Sequence, residues 1–322
     1  MSSVAVDVHQ HLWTPAFVRA LRSRSAPPFL GGPDGWTLHL PGEPPYKVDP
    51  RDHDVTRRAA RNRGLRLALV GLSSPLGVEY LPPEEAWPIL DAYHEGALSL
   101  PAPFGVWAAT CLSEPDPARL AADLDRGAVG LQLPATAVAD AAGLLRAGPL
   151  LRVLEERGLP LFVHPGPVAA RAAGEPAWWP ALVPYVQQMH AAWHAFLAVG
   201  RAEHPRLRVC FALLAGLAPL HSERLINRGG PGRGRVDPGV FVETSSYGPR
   251  AIDAVIRELG VDVVVNGSDE PYATAPDPGL GRAAERMIRI ANPLRLLGRA
   301  GAAVRAGAET PADISAGTAR TR

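Results

Sequence analysis

Lysine is almost missing from this chain. Of its 33 Lys and Arg residues only Lys47 is lysine, so any role that needs an amine side chain falls to one position. Cysteine is nearly as scarce: Cys111 and Cys210 each sit in an apolar run (WAATCL, VCFALL). Two thiols so far apart, in β-like segments, read as small buried hydrophobes rather than a disulfide. Long hydrophobic runs are also lacking. LRVCFALLAGLAPL is interrupted by Gly216 and Pro219 and falls short of a bilayer span, and MSSVAVDVHQ has neither the basic start nor the apolar stretch of a signal peptide. With a formal net charge of +1, neither a strongly basic nucleic-acid surface nor an acidic solvating tail is available. The expectation is a cytoplasmic protein with no membrane or nucleic-acid partner.

What the chain does have is a core. Hydrophobic residues make up 47% and charged residues 20% of 322 positions, the composition of a folded domain. Short apolar runs recur, each followed by a helical pattern. Val4–Val8 leads into Pro15–Arg24, Arg66–Leu72 into Pro83–Leu98, and Gly105–Leu112 into Pro117–Asp125. Ala128–Leu133 precedes Leu144–Arg157, and Pro160–Val163 precedes a long helix around Trp178–Glu203. Leu207–Ala212 precedes Ala218–Asn227, Val240–Glu243 precedes Pro249–Leu259, and Asp262–Val265 precedes Gly281–Leu297. The strands are continuously apolar rather than alternating, as in a parallel sheet buried on both faces. Eight such units predict an α/β fold of the (β/α)8 TIM-barrel type; an open doubly wound sheet would more often stop at five or six strands.

Two Pro- and aromatic-rich insertions interrupt the repeat, after strands one and five. Ala26–Asp54 carries Trp36 and Tyr46, and Pro165–Pro184 carries Trp178 and Trp179. Their aromatic content predicts packed lids over the C-terminal face, with indoles forming an apolar wall. The division expected is a single barrel over 1–300 and a flexible tail over 301–322.

Chemistry is signalled at the ends of the strands. Asp7-Val8-His9-Gln10-His11 closes the first strand, and residues two apart on an extended chain point the same way, so His9 and His11 can share one metal ion. His164 ends the fifth strand and Asp269 follows the eighth. Active sites of such barrels gather at the C-terminal ends of the strands. Singly, these residues are ordinary strand ends or a helix cap; together they predict a metal site of His9, His11, His164 and Asp269.

With these motifs the sequence resembles the amidohydrolase superfamily, and more narrowly the amidohydrolase-related group that includes aminocarboxymuconate-semialdehyde decarboxylase. The resemblance runs from about Val4 to Leu297 and includes Gly267-Ser268-Asp269 with Pro271 and the segment Ala291-Asn292-Pro293-Leu294-Arg295-Leu296-Leu297. It implies that His9, His11, His164 and Asp269 hold the metal. Binuclear members bridge two ions through a carboxylated lysine on strand four. Here that strand reads Gly130-Leu131-Gln132-Leu133, so one divalent ion is expected, zinc first, with manganese or iron as alternatives.

The departure lies after strand six. The family usually places a histidine there, in a glycine-rich turn; this chain has Leu213 in Phe211-Ala212-Leu213-Leu214-Ala215-Gly216-Leu217-Ala218-Pro219. Leucine cannot carry a proton, so His190 and His221 are the candidate catalytic substitutes. His190 and His194 share a helix face, an HxxxH pair without the glutamate of the HExxH motif. His39, His53 and His94 are expected on the surface or in a lid. Glu243 and the hydroxyls after it are expected to line the mouth, with Arg224 and Arg250 as candidate carboxylate binders.

The function expected from this set is metal-dependent hydrolysis of a small cyclic ester, amide or related carbonyl compound, with Asp269 as general base and acid. The alternative is non-oxidative decarboxylation of an aromatic or muconate-like acid. A third reading, ligand binding with impaired catalysis, follows from Leu213. The expected partner is a small carboxylated or cyclic substrate, with homo-oligomerisation left open.

Overall fold

The computed structural model describes residues 5–41, 43–169, 174–231 and 236–298. Eight parallel strands form the centre: β1 (Val6–Gln10), β2 (Leu67–Val70), β3 (Phe104–Val106), β4 (Leu131–Pro134), β5 (Leu161–His164), β6 (Val209–Phe211), β7 (Val240–Glu243) and β8 (Val264–Val265). β1, β2 and β3 pair in the order β1-β2-β3, and β4 to β8 pair in sequence. Backbone hydrogen bonds join these groups at both seams. Between β3 and β4, Ala108 bridges to Leu131, with Ala108 N–H on Gly130 O at 2.8 Å and Gln132 N–H on Ala108 O at 2.8 Å. Between β8 and β1, Val8 N–H donates to Asn266 O at 3.0 Å and Asp269 N–H to His9 O at 2.8 Å, with a further bridge from Gln10 to Glu270. The ring is closed, and closure leaves no strand edge unpaired among the barrel strands.

Every strand is buried along its length except β3, where Phe104 and Gly105 are half-buried. This is why the runs read as continuous: the interior face packs on its own side chains and the outer face on helices. Inside, Trp107 and Phe162 stack with centroids 5.3 Å apart, and the Trp107 indole N–H donates to Val8 O at 2.9 Å. The helices Pro83–Leu98, Pro117–Asp125 and Pro249–Leu259 begin where the sequence predicts, each with proline in the first turn, where its missing N–H costs nothing. The helix expected over Trp178–Glu203 is broken instead: Trp179–Leu182 ends at Val183, and a new helix runs Pro184–Ala195 before a π-turn at Phe196–Gly200.

The insertion after β1 is a small antiparallel sheet of Phe29–Gly31, Thr37–His39 and Tyr46–Lys47. Leu30, Leu38 and Val48 bury it against a cluster with Trp13, Phe17 and Leu21. Trp36 stacks on His53 at 6.1 Å, which in turn stacks on Trp13 at 4.6 Å. Of the histidines expected on the surface or in a lid, His53 belongs to the insertion, and both His53 and His94 are buried. The reason is local bonding: His53 Nδ1 accepts from Trp13 N–H and His94 Nε2 accepts from Ala109 N–H. Burial pushes His94 down to about 4, keeping it a neutral acceptor. The expected tail at 301–322 lies outside the described residues. No described helix is long and apolar enough to cross a membrane.

Candidate metal centre

His9 is the fourth residue of β1 and His11 stands just past its end, while His164 ends β5 and Asp269 follows β8. Their ligand atoms all lie within 4.8 Å of one another, which assembles the quartet expected from sequence. His9, His11 and His164 are 1%, 1% and 5% exposed, and the Asp269 side chain, at 17%, is the part that meets solvent. Asp269 is held at φ +60°, a left-handed conformation that Asp tolerates better than most residues.

Each imidazole is oriented by its other nitrogen. His9 Nδ1 lies 3.1 Å from Glu243 Oε1, His11 Nδ1 lies 3.0 Å from Gly71 O, and His164 Nδ1 lies 2.7 Å from Pro165 O. A carbonyl oxygen only accepts, so Nδ1 carries the proton in His11 and His164, and Nε2 is left with its lone pair. His9 Nε2 and His11 Nε2 then stand 3.1 Å apart, with Asp269 Oδ1 3.4 and 3.2 Å from them. Acceptor atoms facing one another in a buried place demand a cation, and three nitrogens and a carboxylate oxygen suit a divalent transition ion. The same pull on positive charge is seen at His9, where a proton would compete with an ion. Burial opposes a proton on His9, yet the carboxylates of Glu243, Asp269 and Asp7 raise it to about 9. For Asp269 burial likewise opposes charge, but His9, His11 and His164 hold it below the ordinary carboxyl range. Burial and the neighbouring imidazoles push His164 well down.

Glu243 does not line the mouth as expected. It is fully buried and accepts from Leu213 N–H at 2.8 Å, Ser245 N–H at 2.7 Å and the Ser245 hydroxyl at 2.6 Å, besides facing His9. It sits so close to β8 that a Cβ at Gly267 would stand 2.0 Å from Glu243 Oε2. A second support was also missed. Arg58, 0% exposed, donates to His11 O and Gln10 Oε1, each at 2.8 Å, and pins the end of β1. Gln132, on the lysine-free strand β4, donates to Leu72 O and the Ser74 hydroxyl.

Leu213 follows β6 at the position expected for the missing histidine, 8% exposed. It opens a run with positive φ through Leu217, of which only Gly216 is glycine. The turn therefore keeps a backbone that glycine would favour, and its contact with the site is the Leu213 N–H on Glu243. His190 and His221, expected as substitutes, are not brought to the quartet. Their rings lie 4.9 Å apart, and the groups that shift His190 are burial, His194 and His221. The helix face explains this: Met189, one residue earlier, is buried against the turn at Gly216, leaving His190 half-exposed. Arg224 and Arg250 are exposed.

The mouth is lined by residues with no motif to announce them. The Tyr272 ring lies 5.7 Å from His11, and its hydroxyl pairs with Ser73, which also accepts from the Trp13 indole at 3.0 Å. Burial of that hydroxyl, with the charge of Asp269 and the nearby Tyr46 and Tyr185, raises Tyr272. Tyr185 is raised by burial and by Glu43 and Asp269. These tyrosines stand where tryptophans were expected. Trp178 is exposed and pairs with Trp179 at 5.9 Å, and Trp36 is engaged with His53.

Solved structures match this architecture. IDCase of Metarhizium anisopliae, in apo form, aligns at TM-score 0.73 and 17% identity, over 91% of this chain and 97% of that one. 5-Carboxyvanillate decarboxylase of Novosphingobium aromaticivorans, complexed with manganese and 4-hydroxy-3-methoxy-5-nitrobenzoic acid, aligns at 0.70 and 17%, over 92% and 96%. The chain shares their fold. 2,6-Dihydroxybenzoate decarboxylase complexed with 2,6-dihydroxybenzoate aligns at 0.65 and 18%, over 92% and 99%. No family profile matches the sequence, and no curated protein matches it.

Proposed function

We propose that this protein is a mononuclear metal-dependent enzyme of the amidohydrolase type, and that it decarboxylates a small aromatic or muconate-like acid. The observation that carries the reading is the quartet His9, His11, His164 and Asp269 at a barrel mouth edged by Tyr272 and Tyr185. The fold-sharing decarboxylases named above support it, since two hold aromatic acids. They move the balance away from the hydrolysis expected from sequence.

A bound divalent ion supplies positive charge that draws in and polarises the oxygens of an acid substrate. The protein's own residues do the rest. Glu243, Gly71 O and Pro165 O fix the three imidazoles so that their Nε2 atoms converge without reorganisation. The Asp269 carboxyl is the one titratable ligand reaching solvent, and it is the group assigned to proton transfer. In decarboxylation Asp269, ionised at rest, would take a proton from solvent and deliver it to the ring carbon bearing the carboxylate. The C–C bond then breaks, carbon dioxide leaves, and the electron pair returns to the ring. Tyr185 and the half-exposed ring of Tyr272 would flank a substrate at the mouth.

Leu213 favours a second reading. With an apolar side chain where an imidazole would stand, Asp269 is left as proton carrier, and hydrolysis of a cyclic ester or amide by activated water needs no more than that. One assay separates the two. Protein loaded with zinc or manganese is incubated with hydroxylated benzoates and, separately, with lactones and cyclic amides. Carbon dioxide release from the first set supports decarboxylation; acid release from the second alone replaces it with hydrolysis.

A further inference from the structure

Outside the barrel mouth, one other group of imidazoles is gathered by the fold. His190 and His194 are one turn apart on the helix Pro184–Ala195, and His221 ends the turn that follows β6. The His190 ring lies 4.7 Å from His194 and 4.9 Å from His221. In the barrel quartet the three histidine rings stand 4.9 to 5.0 Å apart, so ring spacing is the same. The partners are held by core packing. Gly216 sits so tightly on the helix that a Cβ there would stand 2.6 Å from Val186 O, and Met189, between the helix and that turn, is fully buried. Among the described residues neither a carboxylate nor a backbone group holds these rings: the groups that shift His190 and His194 are burial and other imidazoles, and both are pushed below the ordinary histidine value.

We propose that His190, His194 and His221 form a second metal site, separate from the quartet, that takes a borderline divalent ion such as zinc, nickel or copper. The donor set is neutral nitrogen, which suits those ions over magnesium or calcium. His190 is the central ligand, touching both others. The nitrogens are not already collected as they are in the quartet, the one group among the described residues with that property. Binding an ion there requires the rings to rotate until a nitrogen of each reaches the roughly 2.0–2.1 Å that zinc requires. Solvent completes the coordination, because His221 is exposed and His194 edges an open cavity of about 240 Å³ shared with Ser222 and Asp237.

The test uses untagged full-length protein, since an affinity tag of histidines would bind the same ions. Zinc and copper are titrated and bound metal is counted after removal of excess. Two equivalents per chain are expected in the unmodified protein. His190→Ala with His194→Ala should retain one, and His11→Ala should retain the other. His221→Ala should weaken the second equivalent while leaving the first. Copper bound to the His11→Ala protein should show nitrogen hyperfine structure from three imidazoles. A single equivalent in the unmodified protein overturns the proposal, as does a second equivalent that survives the double substitution. Unchanged affinity in His221→Ala overturns the three-histidine assignment. All three positions are at least partly exposed, so folding is preserved, and melting curves check it.

Discussion

Two groups of three histidines sit on this protein with nearly equal ring spacing, and they differ in what stands behind the rings. In the barrel mouth every Nδ1 meets an acceptor of the protein, so the free nitrogens are aimed before any ion arrives. On the outer helix no such backing exists, and the rings meet only one another. Acceptors in the surrounding shell aim the donors in advance; where proximity alone gathers them, the rings must turn to meet an ion.

The comparison breaks most sharply by deleting a ligand. His11→Ala or Asp269→Ala should remove metal from the barrel mouth to below detection by elemental analysis, with secondary structure retained. Glu243→Gln should act less strongly, lowering affinity about 10–100-fold by loosening His9, as measured by competition with a chelator. Arg58→Met tests whether backing extends to the backbone of β1. Loss of a buried cation that bonds His11 O and Gln10 should cost about 3 kcal/mol in denaturant unfolding. In unfolding of the metal-free protein the outer group should be nearly silent: His190→Ala with His194→Ala should change stability by no more than about 0.5 kcal/mol at neutral pH. Its signature is acid. Both rings are depressed below 6.5 in the folded state, so the stability they contribute is present above 6.5 and lost as pH falls through their folded values. The double substitution should therefore flatten the fall in melting temperature on acidification. An unaltered slope would mean that the rings are not mutually crowded.

The ligand quartet could be read from sequence because each member ends a recognisable apolar run, and a barrel collects strand ends at one face. Helix starts were legible where proline marked them, at Pro83, Pro117 and Pro249. Glu243 was misplaced because sequence shows that it ends a strand but not that Gly267 makes room for it. Tyr185 and Tyr272 come from a helix start and a loop, and only tertiary folding brings them near Asp269. His190 was a candidate substitute because its helix follows strand five. On that helix it is Met189 that packs on the turn at Gly216, and His190 beside it stays half-buried.

Glu243 also bears on the order of assembly. Its partner His9 lies 234 residues away in sequence, while Leu213 is 30 and Ser245 two residues distant. The near bonds can form as soon as β6 and β7 pair. The far one must wait until the chain has been completed and β8 has met β1, a loop closure whose entropy is met only by the finished ring. Orientation of His9 is thus a late event in folding. A chain stopped short of β8 would still hold three of the four ligands without the seam that places them.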